Sequence, residues 1–254
     1  MGSFKIRPGP FTGLLEAAAF FTRLPVAPRA HGAWRLADSA WAFPLVGAGI
    51  GGVAALAFLL ADLIGLSSWP AALLAVLAGV TLTGALHEDG LADTADGFFA
   101  GGNREQRLAV MRDSLHGSFG VLAITLSVLL RVAALAAVGD AIHVGLALIA
   151  AHAASRAALP VAMLGLAPAR ADGLGATSGR PRPSAAAAAV FIGAFIGLAA
   201  LGPMPGARAL SLMALAVLAM AAFARRQIGG YTGDVLGALQ QTGEIVMLLA
   251  ASAR

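Results

Sequence analysis

Apolar and polar residues follow one another along this chain in long blocks rather than short periods. Apolar runs occupy about 39–62, 70–86, 117–139, 141–167, 184–202, 207–223 and 234–252. A helix needs roughly 20 apolar residues to cross about 30 Å of hydrocarbon. The pattern therefore predicts an all-α, polytopic membrane helix bundle of about seven transmembrane helices. The second and sixth runs are short, which leaves a tilt, a re-entrant path or a shifted boundary open for each. Gly47, Gly49, Gly51 and Gly52 in the first run predict close helix contacts, because small residues let backbones approach in lipid. The segment "PFTGLLEAAAFFTRLP" is different. Phe11, Leu14, Leu15 and Ala18 share one face and Pro25 ends the pattern, so residues 10–24 read as an amphipathic helix lying on the bilayer rather than a short first span. The opening "MGSFKIRPGP" leads into no short apolar core with a cleavage site, so no signal peptide is expected.

Composition changes the picture little and sharpens it. Hydrophobic residues make up 59% and charged residues 12% of the 254 positions, against roughly 45–50% and about 25% in soluble domains. One soluble core cannot hide that much apolar surface, so residues 1–254 are expected to form a single polytopic domain. The chain has no cysteine, which excludes disulfides and thiolate ligands. Its net charge of +4 suggests nucleic acid only until the basic residues are placed. Lys5, Arg7, Arg23, Arg29 and Arg35 precede the first run. Arg104, Arg107 and Arg112, then Arg170, Arg180 and Arg182, then Arg225 and Arg226 fill alternate connections, and only Arg208 and Arg254 fall on the other side. Arg131 and Arg156 sit inside runs. Positive residues stay cytoplasmic, so the N-terminus and those three connections are expected in the cytoplasm, in a bacterial inner membrane, with no nucleic-acid partner.

Against that basic background the acids are concentrated. Residues 87–116 open with "HEDGLADTADG" and hold Glu88, Asp89, Asp93, Asp96, Glu105 and Asp113. The i, i+4, i+7 spacing of Asp89, Asp93 and Asp96 puts them on one helix face. Like charges there repel, and a cation held between them removes the penalty. Oxygen ligands without cysteine favour Mg²⁺ or Mn²⁺ over zinc. Glu88 and His87 point elsewhere on the helix, so Glu88 is the weaker ligand. Asp113 can close the site only if the turn at Gly101–Asn103 folds the segment back. The alternative is a solvated acidic face paired with Arg104, Arg107 and Arg112. Carboxylates, a divalent ion and phosphate-gripping arginines (Arg104, Arg112, Arg180, Arg182) together point to phosphoryl transfer.

Two further stretches fit that chemistry. Residues 224–234 hold two arginines and the turn Gly229, Gly230 and Thr232 before the last run, where free N–H groups at a helix start suit an anion. Asp234, Ala238 and Gln241 then share a face. Asp234 reads as a functional acid or a simple cap. Glu244, inside the run, reads as a site residue or as an interhelical partner of Arg131 or Arg156. The connection 168–183, "PARADGLGATSGRPRP" in its setting, is rich in glycine and proline and reads as a substrate-contacting loop. His152 and Arg156, one turn apart, either bind phosphate from below or pair with a neighbouring acid.

"DGLADTADG" followed by "RDSLHGSFG", which contains Asp113 and His116, resembles the signature of the adenosylcobinamide-GDP ribazoletransferase (cobalamin synthase) family. "FFTRLPVA", "FPLVGAGIG", "ASRAALP" and "GGYTGDVLGALQQTGE" resemble it in the same order, so the resemblance covers almost the whole chain. One departure is Gln241, where the family often has an acid. The resemblance implies a Mg²⁺-dependent inner-membrane enzyme whose substrates are adenosylcobinamide-GDP and α-ribazole or its 5′-phosphate. A ribose hydroxyl attacks the phosphorus on the cobinamide side and GMP leaves. It implies catalytic roles among Asp89, Asp93, Asp96, Asp113 and Asp234, with Asp96 or Asp113 as base. Metal binding would fall to Asp89, Asp93, Asp96 and Glu88, and substrate contacts to the arginines with His116, Arg156 and Glu244. Self-association and contact with other cobalamin-assembly enzymes stay open. A CDP-alcohol phosphotransferase would show an "AR" that "DGLADTADG" lacks. An ion-coupled transporter would hold its acids nearer the bilayer midplane.

Overall fold

The computed structural model describes residues 10–26 and 35–253. Lys5, Arg7, Arg29 and Arg254, the opening segment and the last residue of "FFTRLPVA" lie outside them. Eleven α-helices are described, with no strand beyond a single parallel bridge between Pro168 and Tyr231.

Prolines start three of the long helices: α2 (Phe43–Leu63), α9 (Pro183–Leu201) and α10 (Pro203–Ile228) each have one in the first turn. There proline loses no hydrogen bond and its fixed φ suits the helix. Together with α6 (Ser118–Val138), α7 (Ala141–Gly165) and α11 (Gly233–Ser252), these are the six helices long and apolar enough to cross a membrane, α2 being extended by a 3-10 turn over Leu36–Ala42. The chain is a multi-pass membrane protein. α3 (Ser68–Thr83) and α4 (Leu86–Phe99) pass the same test only as a pair bent by 89°, the geometry of a broken seventh span or of a re-entrant loop.

The bend corrects a simple extrapolation of the second apolar run into the acidic segment. Gly84 takes the left-handed conformation at φ +64, and Ala85 follows it at φ +57. Glycine takes that conformation freely; alanine does so at a cost of about 1–2 kcal/mol. The chain therefore turns sharply, and the acids ride on a separate helix, α4.

Burial sorts the helices into a centre and a rim. The apolar window of α7 is 72% buried and that of α11 67%, against 22% for α9 and α10 and 28% for α6. Leu122, Leu126, Leu129, Phe191, Phe195, Leu215 and Leu218 on the rim helices are exposed, as lipid-facing positions are. The glycines of α2 divide in the same way. A Cβ on Gly47 would strike the carbonyl of His152, and one on Gly51 would come to 2.6 Å from that of Leu148, so both set α2 directly on α7. Gly49 and Gly52 face open space.

α1 (Pro10–Phe21) packs on the 3-10 turn and α2, with Ala17 and Phe21 buried and Phe11 exposed. It is shorter than the 10–24 expected. Its last residue, Phe21, lies 5.7 Å from His87, with the rings stacked at 18°, and so covers the start of α4.

Candidate active site

α4 has four acids and neither arginine nor lysine, and its surroundings treat each acid differently. Glu88 turns inward. Its Oε1 accepts from Arg131 of α6 at 3.0 Å and from Gln241 of α11 at 3.2 Å. Arg131 also donates to Glu244 at 3.1 Å. Glu244 accepts from Gln240 at 2.6 Å, Ser127 donates to Gln241 at 2.7 Å, and His152 sits between Glu244 and Arg156. All of these side chains are buried. A carboxylate this far from water stays ionised only with a paired cation and hydrogen bonds. The network supplies both, and it ties α4 to α6, α7 and α11.

This placement departs from the roles suggested for Glu88, Arg156 and Glu244. None reaches the open face of α4. Of the two readings of Glu244, the structure gives the interhelical partner of Arg131. Gln241, the departure from the family pattern, donates to Glu88 and Gln240 inside the same network.

Asp96, near the other end of α4, is also held. Its two oxygens accept from the backbone N–H groups of Gly117 at 2.7 Å and Gly120 at 2.9 Å, at the start of α6. A carboxylate there satisfies donors that the helix cannot, and it meets the positive end of the helix dipole. A Cβ on Gly120 would run into that carboxylate. Asp96 is close enough to repel the charge of Asp93, but both its oxygens are already engaged by these N–H groups. Asp89, Asp93 and Asp96 share a face of α4, but the start of α6 covers the Asp96 end of it.

Asp89 and Asp93 have no such anchor. Their side chains are 64% and 16% exposed, and no arginine or lysine contacts them among the described residues. His116 lies between them, with Nε2 3.6 Å from Asp89 and Nδ1 3.5 Å from Asp93. Asp234 joins this group from α11. Gly90 packs against its backbone, a Cβ there coming to 2.8 Å from its carbonyl, and its charge is close enough to repel those of Asp93 and Asp89. Thr232 caps α11 through Val235 N–H and donates its hydroxyl proton to Asp234 at 3.0 Å. Asp113 is exposed and accepts from Leu115 N–H at 3.1 Å within its own turn.

The arginines are placed less as expected. Arg104 donates to the carbonyls of Ile228 and Ala169, Arg180 to that of Leu164, and Arg112 pairs with Asp172 at 2.7 Å. The first two brace backbone. Arg182 stands at the start of α9, exposed and with no polar partner among the described residues. Gly229, at φ +78, ends α10. Gly230 lies where a Cβ would strike the carbonyl of Ala167, beside the Tyr231–Pro168 bridge. The Tyr231 hydroxyl donates to Gly175 at 3.2 Å, and burial pushes its pKa above the ordinary phenol value. These contacts lock the 168–183 loop to the 229–232 turn beside Asp234. Arg170, in that loop, was not singled out by sequence. Its Nη2 is 3.6 Å from Asp234. A loop has no periodicity to mark such a residue.

Among the described residues, no three histidine or acidic side chains converge on one point as a closed metal cage would require. Mg²⁺ does not need one, since it is usually held by one or two carboxylates with water and substrate phosphates. Asp89 and Asp93, hard oxygen donors without a cationic side chain, fit that mode.

Comparison with known proteins gives the same direction. The family model described as cobalamin-5-phosphate synthase (CobS) matches residues 13–252. A protein of Bradyrhizobium diazoefficiens named adenosylcobinamide-GDP ribazoletransferase is 49% identical over 93% of this chain and 92% of its own. Proteins of the same name from Mesorhizobium japonicum and Azorhizobium caulinodans are each 46% identical, over 92% of this chain and 90% and 92% of theirs. No solved structure matches. The chain belongs to the cobalamin-5-phosphate synthase family.

Proposed function

We propose that the chain joins adenosylcobinamide-GDP to α-ribazole or its 5′-phosphate with release of GMP, a late step of cobalamin biosynthesis. The observation that carries this is the open pair Asp89 and Asp93, with His116 and Asp234, at one end of a membrane bundle of this family. In the reaction a ribose hydroxyl oxygen forms a bond to the phosphorus on the cobinamide side. The pyrophosphate P–O bond to that phosphorus breaks, and GMP leaves with the electron pair.

Asp89 and Asp93 would hold Mg²⁺, with Asp234 the nearest further carboxylate. Bound there, the ion supplies charge neutralisation on the phosphates and the leaving group. The chain's own residues do the rest. The buried Glu88–Arg131–Glu244 network and the Asp96 cap fix α4, so the open pair keeps its geometry without help from substrate. His116, in contact with both acids, is the acceptor we assign to the hydroxyl proton. Asp96 is unsuited to that step, because both its oxygens already receive backbone N–H groups.

The same end of the bundle carries Arg104, Arg107, Arg112, Arg170, Arg180, Arg182, Arg225 and Arg226, while Arg208 stands at the other. By the positive-inside rule the site faces the cytoplasm of a bacterial inner membrane. The test is turnover of purified protein in lipid, with GMP release followed against Mg²⁺ concentration. Wild-type protein should release GMP only with both substrates and the metal. Asp93→Asn should lose on the order of a hundredfold or more in turnover. No GMP from the wild type, or near-normal turnover by Asp93→Asn, would overturn the assignment.

A further inference from the structure

Arg170 differs from four other arginines at its end of the bundle. Arg104, Arg107, Arg112 and Arg180 each donate to a carbonyl or carboxylate within hydrogen-bonding distance. Arg170 makes no side-chain hydrogen bond among the described residues. Its nearest acceptors are Asp234 Oδ2, 3.6 Å from Nη2, and Asp172 Oδ1, 3.8 Å from Nε. Its Nη1 is buried with no partner, and the side chain as a whole is only 17% exposed. A guanidinium has five N–H donors, and leaving them dry and unpaired is costly.

The surroundings hold the group in place without satisfying it. Gly173 has φ +75, and a Cβ there would approach Nε and Nη2 to 3.3 Å. Only glycine takes that turn freely and leaves the edge of the guanidinium clear. Asp234 does not close the gap. Its Oδ2 already accepts from Thr232, and 3.6 Å is well beyond the roughly 2.7–2.9 Å of a charge-assisted N–H···O bond. On the far side of Asp234 lie the open acids Asp89 and Asp93. Three carboxylates there would repel an incoming pyrophosphate. Arg170 is the arginine in contact with that group, and its planar fork matches two oxygens of a phosphate.

We propose that Arg170 is a substrate-binding residue, whose unpaired guanidinium takes non-bridging oxygens of the substrate pyrophosphate beside Asp234. This rests on the pyrophosphate-transfer reading above, and it names which of the many arginines binds phosphate. Arg104 and Arg180, which brace backbone, are not needed for it.

The test separates binding from turnover. Inorganic pyrophosphate binding to the full chain in lipid nanodiscs is measured by calorimetry, with and without Mg²⁺, for wild type, Arg170→Gln, Arg170→Lys and the exposed control Arg226→Gln. Arg170→Gln should weaken binding by roughly tenfold to a hundredfold in both conditions. Arg170→Lys should recover part of it, Arg226→Gln should match wild type, and in turnover the KM for the nucleotide substrate should rise more than kcat falls. Wild-type affinity in Arg170→Gln, or no pyrophosphate binding by wild type, overturns the proposal. If Arg170→Gln does not fold, Arg170→Lys decides: it keeps the charge, so an unchanged affinity and KM would show that the fork binds nothing. Arg170-dependent pyrophosphate binding in a protein that releases no GMP would sink only the assigned reaction.

Discussion

Removing Arg131 should unfold the protein more readily than any single change on the open face. Its guanidinium is the cation shared by Glu88 and Glu244, at 3.0 and 3.1 Å, and the three side chains are 3%, 7% and 2% exposed. Arg131→Met keeps the length and the apolar stem but strands two carboxylates in the bundle. Breaking one partner out of a buried ion group costs about 3–5 kcal/mol, roughly two to four decades in the folded–unfolded equilibrium. For a chain of this size each kcal/mol is worth about 2–4 °C, so the midpoint should fall by roughly 6–20 °C. The assay is a circular-dichroism melt of purified protein in nanodiscs. The partner experiment is the triple variant Arg131→Met, Glu88→Gln, Glu244→Gln, which removes the stranded charges and should regain most of the loss. Turnover should fall in the single variant although Arg131 touches no reacting atom, because the start of α4 loses its anchor. A melting point for Arg131→Met within about 2 °C of wild type, or a triple variant no better than the single, would refute the view that this ion group holds α4.

Two further outcomes follow from the same geometry. Asp96→Asn should keep a melting point near wild type and at least roughly a tenth of its GMP release, since an amide oxygen still accepts one N–H of the α6 start; loss as complete as in Asp93→Asn would return Asp96 to the chemistry. Gly51→Ala should lower the melting point through overpacking worth about 1–3 kcal/mol against the carbonyl of Leu148, whereas Gly52→Ala, facing open space, should leave it unchanged.

Segment lengths were legible because lipid imposes them. Seven apolar runs become α2, α3, α6, α7, α9, α10 and α11, with ends shifted by a few residues. The turn between α3 and α4 was not legible. Gly84 alone is a weak break signal, and nothing in the residue type of Ala85 announces a left-handed backbone; the conformation is imposed by what surrounds it. Periodicity put Asp89, Asp93 and Asp96 on one face, and they are on one helix. It could not say that the start of α6 would cover Asp96, since that depends on how residues 101–117 fold back. The arginines were the least legible. Clustered basic loops suggested phosphate, but a guanidinium in a loop can equally brace carbonyls, as Arg104 does, and only the packed structure tells Arg170 from its neighbours.

The division of labour along α4 follows from where water can reach. Glu88 lies buried among helices, with Arg131 and Gln241 against it. Asp96 is nearly as buried and meets the N–H groups of α6 instead. Both fixed acids thus draw a partner from α6, Arg131 for Glu88 and Gly120 for Asp96, and those partnerships set the position of α4 against it. Asp89 and Asp93 stand between the two anchors, the first exposed and the second 16% so, with no arginine or lysine against either among the described residues. Had either anchor been an open acid, the helix would have carried more like charge with nothing to place it. Had either open acid been paired with an arginine, its oxygens would already be occupied when a metal or phosphate arrived. The pairing of the outer two is therefore what leaves the inner two available, and a change at Glu88 or Asp96 should act on the chemistry only by moving Asp89 and Asp93.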